Sequence, residues 1–137
     1  GLYQKQKTHE IRRGDWVSVC LPKKIATEGL KNGYLQKGDC PTGAIDVLKE
    51  VIAIPNDTVE ITSHGIRVNG KNHLAPRKHL DRKGHLLGIF SQKTFFKHQA
   101  HFWLYGSHSP LYSWDSRYFG GVNRADIQAI FKPILTF

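Results

Sequence analysis

The segment 47–54 (VLKEVIAI) constrains the fold most strongly, because six of its eight residues are apolar and it ends at Pro55. Eight residues is the length of a buried strand, and proline cannot continue a central strand. One lysine, Lys49, interrupts the run. Because side chains alternate between faces along a strand, each face carries its own set of four. One set is Val47, Lys49, Val51 and Ala53, and the other is Leu48, Glu50, Ile52 and Ile54.

Lys49 has two interpretations, since an ammonium group on an apolar face is unfavourable unless it finds partners or loses its proton. On the pattern alone, a lysine that extends to water from a strand edge is the simpler interpretation. The alternative is a desolvated amine whose pKa falls below its usual value of about 10.4, so that it can act as a general base. Deciding between them requires a nucleophile and a hydrogen-bond partner for the amine.

The rest of the chain indicates a mainly β protein. Its 137 residues suit one domain, predicted here to span 1–137, and 39% hydrophobic residues can form a real core. A weakly helical stretch is predicted at 23–35 and a loop at 106–113. Alternating or aromatic runs predict further strands at 15–20, 57–62, 65–68, 86–90, 101–105, 126–131 and 134–137, with a hairpin at 63–65.

Positive charge is concentrated in one window, residues 67–101. The whole chain has a net charge of +9, and this window holds eight basic residues against the single acid Asp81. We predict a basic insert or small lobe here. Such a patch can meet nucleic acid, an anionic membrane or an acidic partner, or it can be a solvated loop region. The basic residues are Arg67, Lys71, Arg77, Lys78, Arg82, Lys83, Lys93 and Lys97.

The two cysteines, Cys20 and Cys40, each stand beside a turn-forming sequence. They could be free thiols, a disulfide or half of a metal site. A structural zinc site is disfavoured because no second cysteine pair accompanies them. The pair His98 and His101 lacks a third ligand in pattern, so no metal is predicted there either.

Three segments, LKEVIAIPNDTVEI, IRVNG and SPLYSWDSRYFGGV, follow one another in an order that resembles the signal peptidase I family. The resemblance is strongest to its TraF-type conjugative transfer branch. In that family a KR-V-x-x-x-PGD stretch supplies a catalytic lysine, which matches Lys49. A later S-x-DSRY-[WF]-G stretch matches residues 113–120. The opening GLY and the later RGDWV resemble the residues that come after the family's nucleophile motif, S-x-P-x-G-x-Y.

The resemblance implies a signal-peptidase-like antiparallel β catalytic core with a variable basic insert, and a Ser–Lys dyad that needs no metal or cofactor. Lys49 would be the general base and Ser113 would orient its amine. Asp115 and Arg117 would be a supporting pair, and their i, i+2 spacing predicts that both lie on one side of an extended segment. By the motif spacing, the nucleophilic serine would lie about four residues before Gly1, so residues 1–137 alone are expected to be inactive. The cysteine pair is also like the conjugative branch, and we therefore predict a Cys20–Cys40 disulfide and an oxidising compartment.

The implied function is cleavage of a preprotein or propilin substrate after small residues. The implied location is the periplasmic side of the bacterial inner membrane, with contact to the membrane surface through an N-terminal anchor. Whether a pilin would also be cyclised is left open, and no nucleic acid partner is expected. Two alternatives remain: a LexA-like autoprotease domain, and an inactive homologue that acts as a basic binding module.

Three positions depart from the family pattern. Glu50 stands where the family often has arginine, and Ser107 with His108 stands near its GDN-type stretch. Asn56 replaces the glycine of PGD, and because asparagine is the usual second choice where φ is positive, we expect the turn to persist.

Overall fold

The computed structural model describes residues 2–6, 10–62, 65–74, 95–96, 101–107 and 114–134. The predicted strand at 86–90 and most of the basic window lie outside these residues. Within them the chain forms two antiparallel sheets and two α-helices, so the predicted mainly β, antiparallel fold is confirmed. Neither helix is long and apolar enough to cross a bilayer.

The first sheet has five strands in the order β1-β9-β2-β3-β8. Their bounds are β1 Leu2–Gln6, β2 Trp16–Val19, β3 Val47–Ala53, β8 Trp103–Tyr105 and β9 Ile127–Ile134. The second sheet has four strands in the order β6-β5-β4-β7. Their bounds are β4 Val59–Thr62, β5 Gly65–Val68, β6 Lys71–Leu74 and β7 Phe95–Phe96.

Helix α1 (Lys23–Asn32) packs its apolar face against the first sheet. It begins after Pro22 and ends at Gly33, whose φ of 79° is the left-handed conformation that glycine adopts without strain. Buried Ala26 and Leu35 belong to the same apolar cluster as residues of β2, β3, β8 and β9. This first core fixes α1 over the strand that carries Lys49.

A second apolar core lies between the two sheets, and β3 contributes to both cores through a β-bulge. Val51 pairs with Leu104 but Ala53 pairs with Trp103, so two residues of β3 oppose one residue of β8. As a result Ala53 leaves the face predicted from strict alternation and joins the second core with Ile52. The predicted face of Lys49 therefore extends only from Val47 to Val51.

Strand β9 is continuous, whereas the sequence predicted two segments broken near Lys132 and Pro133. The pairing with β2 ends at Phe131, and residues beyond it pair only with β1. Proline is tolerated there because no strand on the β2 side requires its missing N–H. Strand β1 itself was not predicted, since five residues with two apolar positions give little signal.

The start of the basic window also belongs to the sheet. Arg67 is exposed between buried Ile66 and Val68, and β5 pairs with β6 through residues 65–68 and 71–74. Residues 67 and 68 therefore belong to β5, and the insert predicted for 67–101 stays a prediction. The count of charges concealed a period-two pattern, in which the basic residue occupies the solvent face of a strand.

Candidate active site

Lys49 lies in the middle of β3, between strands β2 and β8 of the first sheet. Val17, directly across on β2, is completely buried, as is Val51 two residues along the same face. Lys49 itself is half-buried, while its neighbour Leu48 on the other face is 56% exposed. The alternation predicted for this part of the strand is present, and it places the amine on the protein's inner side.

Burial lowers the pKa of Lys49 below its ordinary value, and the nearby charges act in opposite directions. The negative charge of Asp115 raises the pKa, and the positive charge of Arg117 lowers it. Desolvation is the largest of these effects because it penalises the ammonium form alone. An amine with a lowered pKa is neutral in a larger fraction of molecules, and only the neutral form can accept a proton.

Asp115 and Arg117 lie at the start of a short helix, α2 (Ser116–Phe119), rather than on the extended segment expected from their i, i+2 spacing. Asp115 is the N-cap residue, and its carboxylate accepts a hydrogen bond from the backbone N–H of Arg117 at 3.0 Å. The sequence S-x-D-S-R favours this turn because aspartate is among the best N-cap residues.

The two side chains form a bidentate ion pair that is inaccessible to solvent. Asp115 Oδ1 accepts from Arg117 Nε at 2.8 Å, and Oδ2 accepts from Nη2 at 2.9 Å. The guanidinium carbon also lies 5.1 Å from the ring centroid of Tyr105 and 5.5 Å from that of Tyr118. Such a buried charge pair is tolerated because its hydrogen bonds and cation–π contacts replace water.

The α2 segment also closes the outer edge of β8. The backbone N–H of Leu104 donates to Ser116 Oγ at 2.8 Å, and that of Gly106 donates to Asp115 Oδ2 at 2.9 Å. Phe102 and Val122 exchange two backbone hydrogen bonds at the start of the strand. The backbone N–H groups at this strand edge thereby have hydrogen-bond partners. The same bonds fix the ion pair relative to the sheet that carries Lys49.

Cys20 and Cys40 form a disulfide, which is the pairing that the sequence predicted. The bond encloses α1 and the following Tyr34. The ring of Trp114 lies 5.1 Å from that of Tyr34 and 5.1 Å from that of Phe119, centroid to centroid. The cross-linked segment thus packs directly against the residue that precedes Asp115.

The predicted partner of Lys49, Ser113, lies outside the described residues, so its proximity to the amine stays a prediction. The structure brings together Lys49, Asp115 and Arg117, which are far apart in sequence, closely enough for their charges to act on one another. In the described part of the chain no three His, Cys, Asp or Glu side chains group as a metal site requires.

Asp57 anchors the turn after β3, and the sequence indicated it only through the PND turn. Its carboxylate accepts from Arg13 Nε at 2.7 Å, from the N–H of Ile54 at 2.9 Å and from Asn69 Nδ2 at 3.0 Å. Burial raises the pKa of Asp57, but these donors outweigh it and the pKa is lowered. Asn56 has a φ of 75°, so the expected positive-φ turn is present. The turn after β3 is thus tied to both sheets.

A contact between Glu50 and Ser107 was not expected at all. The Ser107 hydroxyl donates a hydrogen bond to the Glu50 carboxylate across 57 residues of sequence. Glu50 also lines a cleft of about 400 Å³ between the two sheets, on the face of β3 away from Lys49, together with Arg13, Lys71 and His73. Neither residue carried a signal in the sequence except its departure from the family pattern.

The described residues thus form a mainly antiparallel β domain with a half-buried lysine near a buried Asp–Arg pair. The chain belongs to the signal peptidase family, peptidase S26, whose pattern it matches over residues 2–135. The peptidase S26 family is therefore established as its class.

The similar curated proteins carry names from conjugation. The chain is 33% identical to a plasmid transfer protein TraF from Escherichia coli over its whole length and 77% of that protein. It is 32% identical to a conjugal transfer protein TraF from Agrobacterium tumefaciens (strain 15955), with the same coverage of 100% and 77%. A solved signal peptidase I from Enterococcus faecalis V583 matches with a TM-score of 0.46 and 20% identity, over 88% of this chain and 96% of the other.

Proposed function

We propose that this domain is the catalytic part of a serine endopeptidase that uses a Ser–Lys dyad, with Lys49 as the general base. The observation that carries the proposal is the half-buried position of Lys49 on β3, where burial lowers its pKa beside the Asp115–Arg117 pair. The buried amine takes the place of the imidazole in a catalytic triad.

In the first step the neutral amine of Lys49 accepts the proton of a serine hydroxyl while the serine oxygen attacks the scissile carbonyl carbon. The C–N bond then breaks, and the proton passes from the ammonium to the leaving amine. Water then attacks the acyl carbonyl carbon while Lys49 accepts a proton from it, the C–O bond to the serine breaks, and the proton passes from Lys49 to the serine oxygen. Ser113 orients the amine, and Asp115 and Arg117 support the segment that carries it.

We place the nucleophilic serine about four residues before Gly1, as the motif spacing implies. The serines with described side chains are disfavoured as the nucleophile because each is engaged in another hydrogen bond. Ser18 Oγ donates to Asp46, Ser107 Oγ to Glu50, and Ser116 Oγ accepts from the N–H of Leu104. Residues 1–137 alone would then contain the lysine of the dyad but would not cleave a substrate.

The substrates that fit this chemistry are signal peptides or propilin-type precursors, which are cut after small residues during conjugative transfer. The names of the similar proteins support the link to conjugation. The site would then work at the periplasmic side of the inner membrane, where the Cys20–Cys40 disulfide is stable. The membrane surface would be reached through an N-terminal anchor.

The test is a cleavage assay with the protein extended through the preceding serine and a preprotein whose last residue before the scissile bond is alanine. We expect one cut, and we expect a bulky residue in place of that alanine to reduce kcat/KM by roughly tenfold or more, because a small pocket excludes it. Mass spectrometry of the products identifies the bond. Salt-dependent binding of nucleic acid without any cleavage would instead support the binding-module alternative.

A further inference from the structure

We propose that Glu50 and Ser107 are a pair of positioning residues, which hold the segment after β8 against the lysine strand so that Asp115 stays beside the Lys49 amine. The inference rests on the proposed function, since it assigns these residues a part in keeping the general base in place. Neither residue touches the reacting atoms, so they act through Lys49 and Asp115.

The pair lies in a tether with two attachment points. Ser107 Oγ donates to the Glu50 carboxylate on β3, and the N–H of the preceding Gly106 donates to Asp115 Oδ2 at 2.9 Å. Two consecutive residues are therefore bound to two carboxylates, one on the lysine strand and one at the cap of α2. The backbone between these anchors has little freedom to move away from the sheet.

This tether affects the environment of Lys49 because it joins Glu50, the next residue on the strand, to Asp115. Glu50 is the direct neighbour of Lys49, and a β-strand in the interior of a sheet transmits a fixed position from one residue to the next. Asp115 is the group whose negative charge acts on the amine, with Arg117 opposing it. If the segment is released, water reaches the amine, and the desolvation that lowers its pKa is reduced.

The chemistry of the two side chains makes the link specific. A carboxylate can only accept a hydrogen bond, and the Ser107 hydroxyl donates one to it. Removing either the hydroxyl or the carboxylate therefore removes the link.

The test uses the extended protein and the alanine substrate, with Ser107→Ala as the central variant because it leaves all charges unchanged. We expect kcat/KM to fall about tenfold, as a small displacement of a catalytic group does. The acid limb of the pH profile should also move to higher pH, because hydration removes the desolvation that lowers the pKa of Lys49. Desolvation is the largest effect on this pKa, so its loss outweighs the loss of the opposite effect of Asp115. Ser107→Thr keeps the hydroxyl and should restore both quantities.

Ser18→Ala is the matched control, since Ser18 makes the same kind of bond to a carboxylate, that of Asp46, without touching the tether. It should leave the acid limb in place. Glu50→Leu should reproduce Ser107→Ala, and the double variant should be no worse than either single one, because the two residues act through one bond.

Unchanged kcat/KM and an unmoved acid limb in Ser107→Ala, with Lys49→Ala inactive, would overturn the positioning pair and leave the proposed function standing. A loss of activity in Ser107→Ala that equals its loss of folded protein, with no change in the pH profile, would also overturn it. If Lys49→Ala still cleaves, the proposed function itself fails, and the pair fails with it.

Discussion

Replacing Lys49 with alanine is expected to reduce kcat for peptide cleavage by about 10³-fold or more, because the general base is removed while the fold remains. The extended protein is assayed at saturating substrate, and circular dichroism checks the fold. Alanine fills less space on the inner face of β3, but it also removes a half-buried charge, so the variant should fold.

Lys49→Arg should not restore activity, because a guanidinium group remains protonated and cannot accept the serine proton. Lys71→Ala is the control, since Lys71 is an exposed lysine on a strand of the second sheet. Its activity should match that of the unmodified protein. Cleavage by Lys49→Ala at a rate similar to that of the Lys71→Ala control would contradict the dyad.

Removing one partner of the buried ion pair should produce the largest loss of stability. Arg117→Met leaves the Asp115 carboxylate buried without its counter-charge, and Asp115 has no exposed surface through which water could replace it. The expected loss in the free energy of unfolding is about 3–5 kcal/mol. Urea denaturation of residues 1–137, monitored by tryptophan fluorescence, measures this free energy.

Arg67→Met is the matched control, because Arg67 pairs with Glu60 at 2.8 Å on the surface, where the two side chains are 44% and 28% exposed. Its loss should be at most about 1 kcal/mol. The double variant Asp115→Leu with Arg117→Met should be more stable than the two single losses would predict together, since no unpaired charge remains. Equal losses for the buried and the exposed pair would contradict the structural role assigned to Asp115 and Arg117.

The strands that could be predicted from the sequence are those in which apolar residues decide the pattern. The run at 47–54, the hairpin joining β4 and β5 and the aromatic strand β8 were predicted within a few residues of their observed bounds. Strands β1 and β6 were missed. Strand β1 is stabilised by pairing with the distant β9, which local patterns do not contain. Strand β6 pairs with its sequence neighbour β5 across Asn69 and Gly70, a hairpin signal that the count of charges concealed.

The residues of the candidate site also divide into those that the sequence indicated and those that depend on tertiary packing. Motif spacing indicated Lys49, Asp115 and Arg117, and the disulfide followed from the resemblance. The helical turn at Asp115 was mistaken for an extended segment because i, i+2 spacing allows both, and only the cap hydrogen bond to Arg117 distinguishes them. The contact of Glu50 with Ser107 depends on tertiary packing across 57 residues, so no local rule predicts it.

The most direct measurement is the pKa of Lys49 itself, monitored by NMR of the lysine ε-position. Residues 1–137 are labelled at lysine, and the Lys49→Arg variant identifies the Lys49 signal. We predict a midpoint below that of the same lysine in the urea-unfolded chain, which is near 10.4. Because the unfolded state would bind more protons between the two midpoints, the free energy of unfolding should rise with pH there, and Lys49→Met should lack this rise. A midpoint at or above the unfolded value would contradict a desolvated general base at this position.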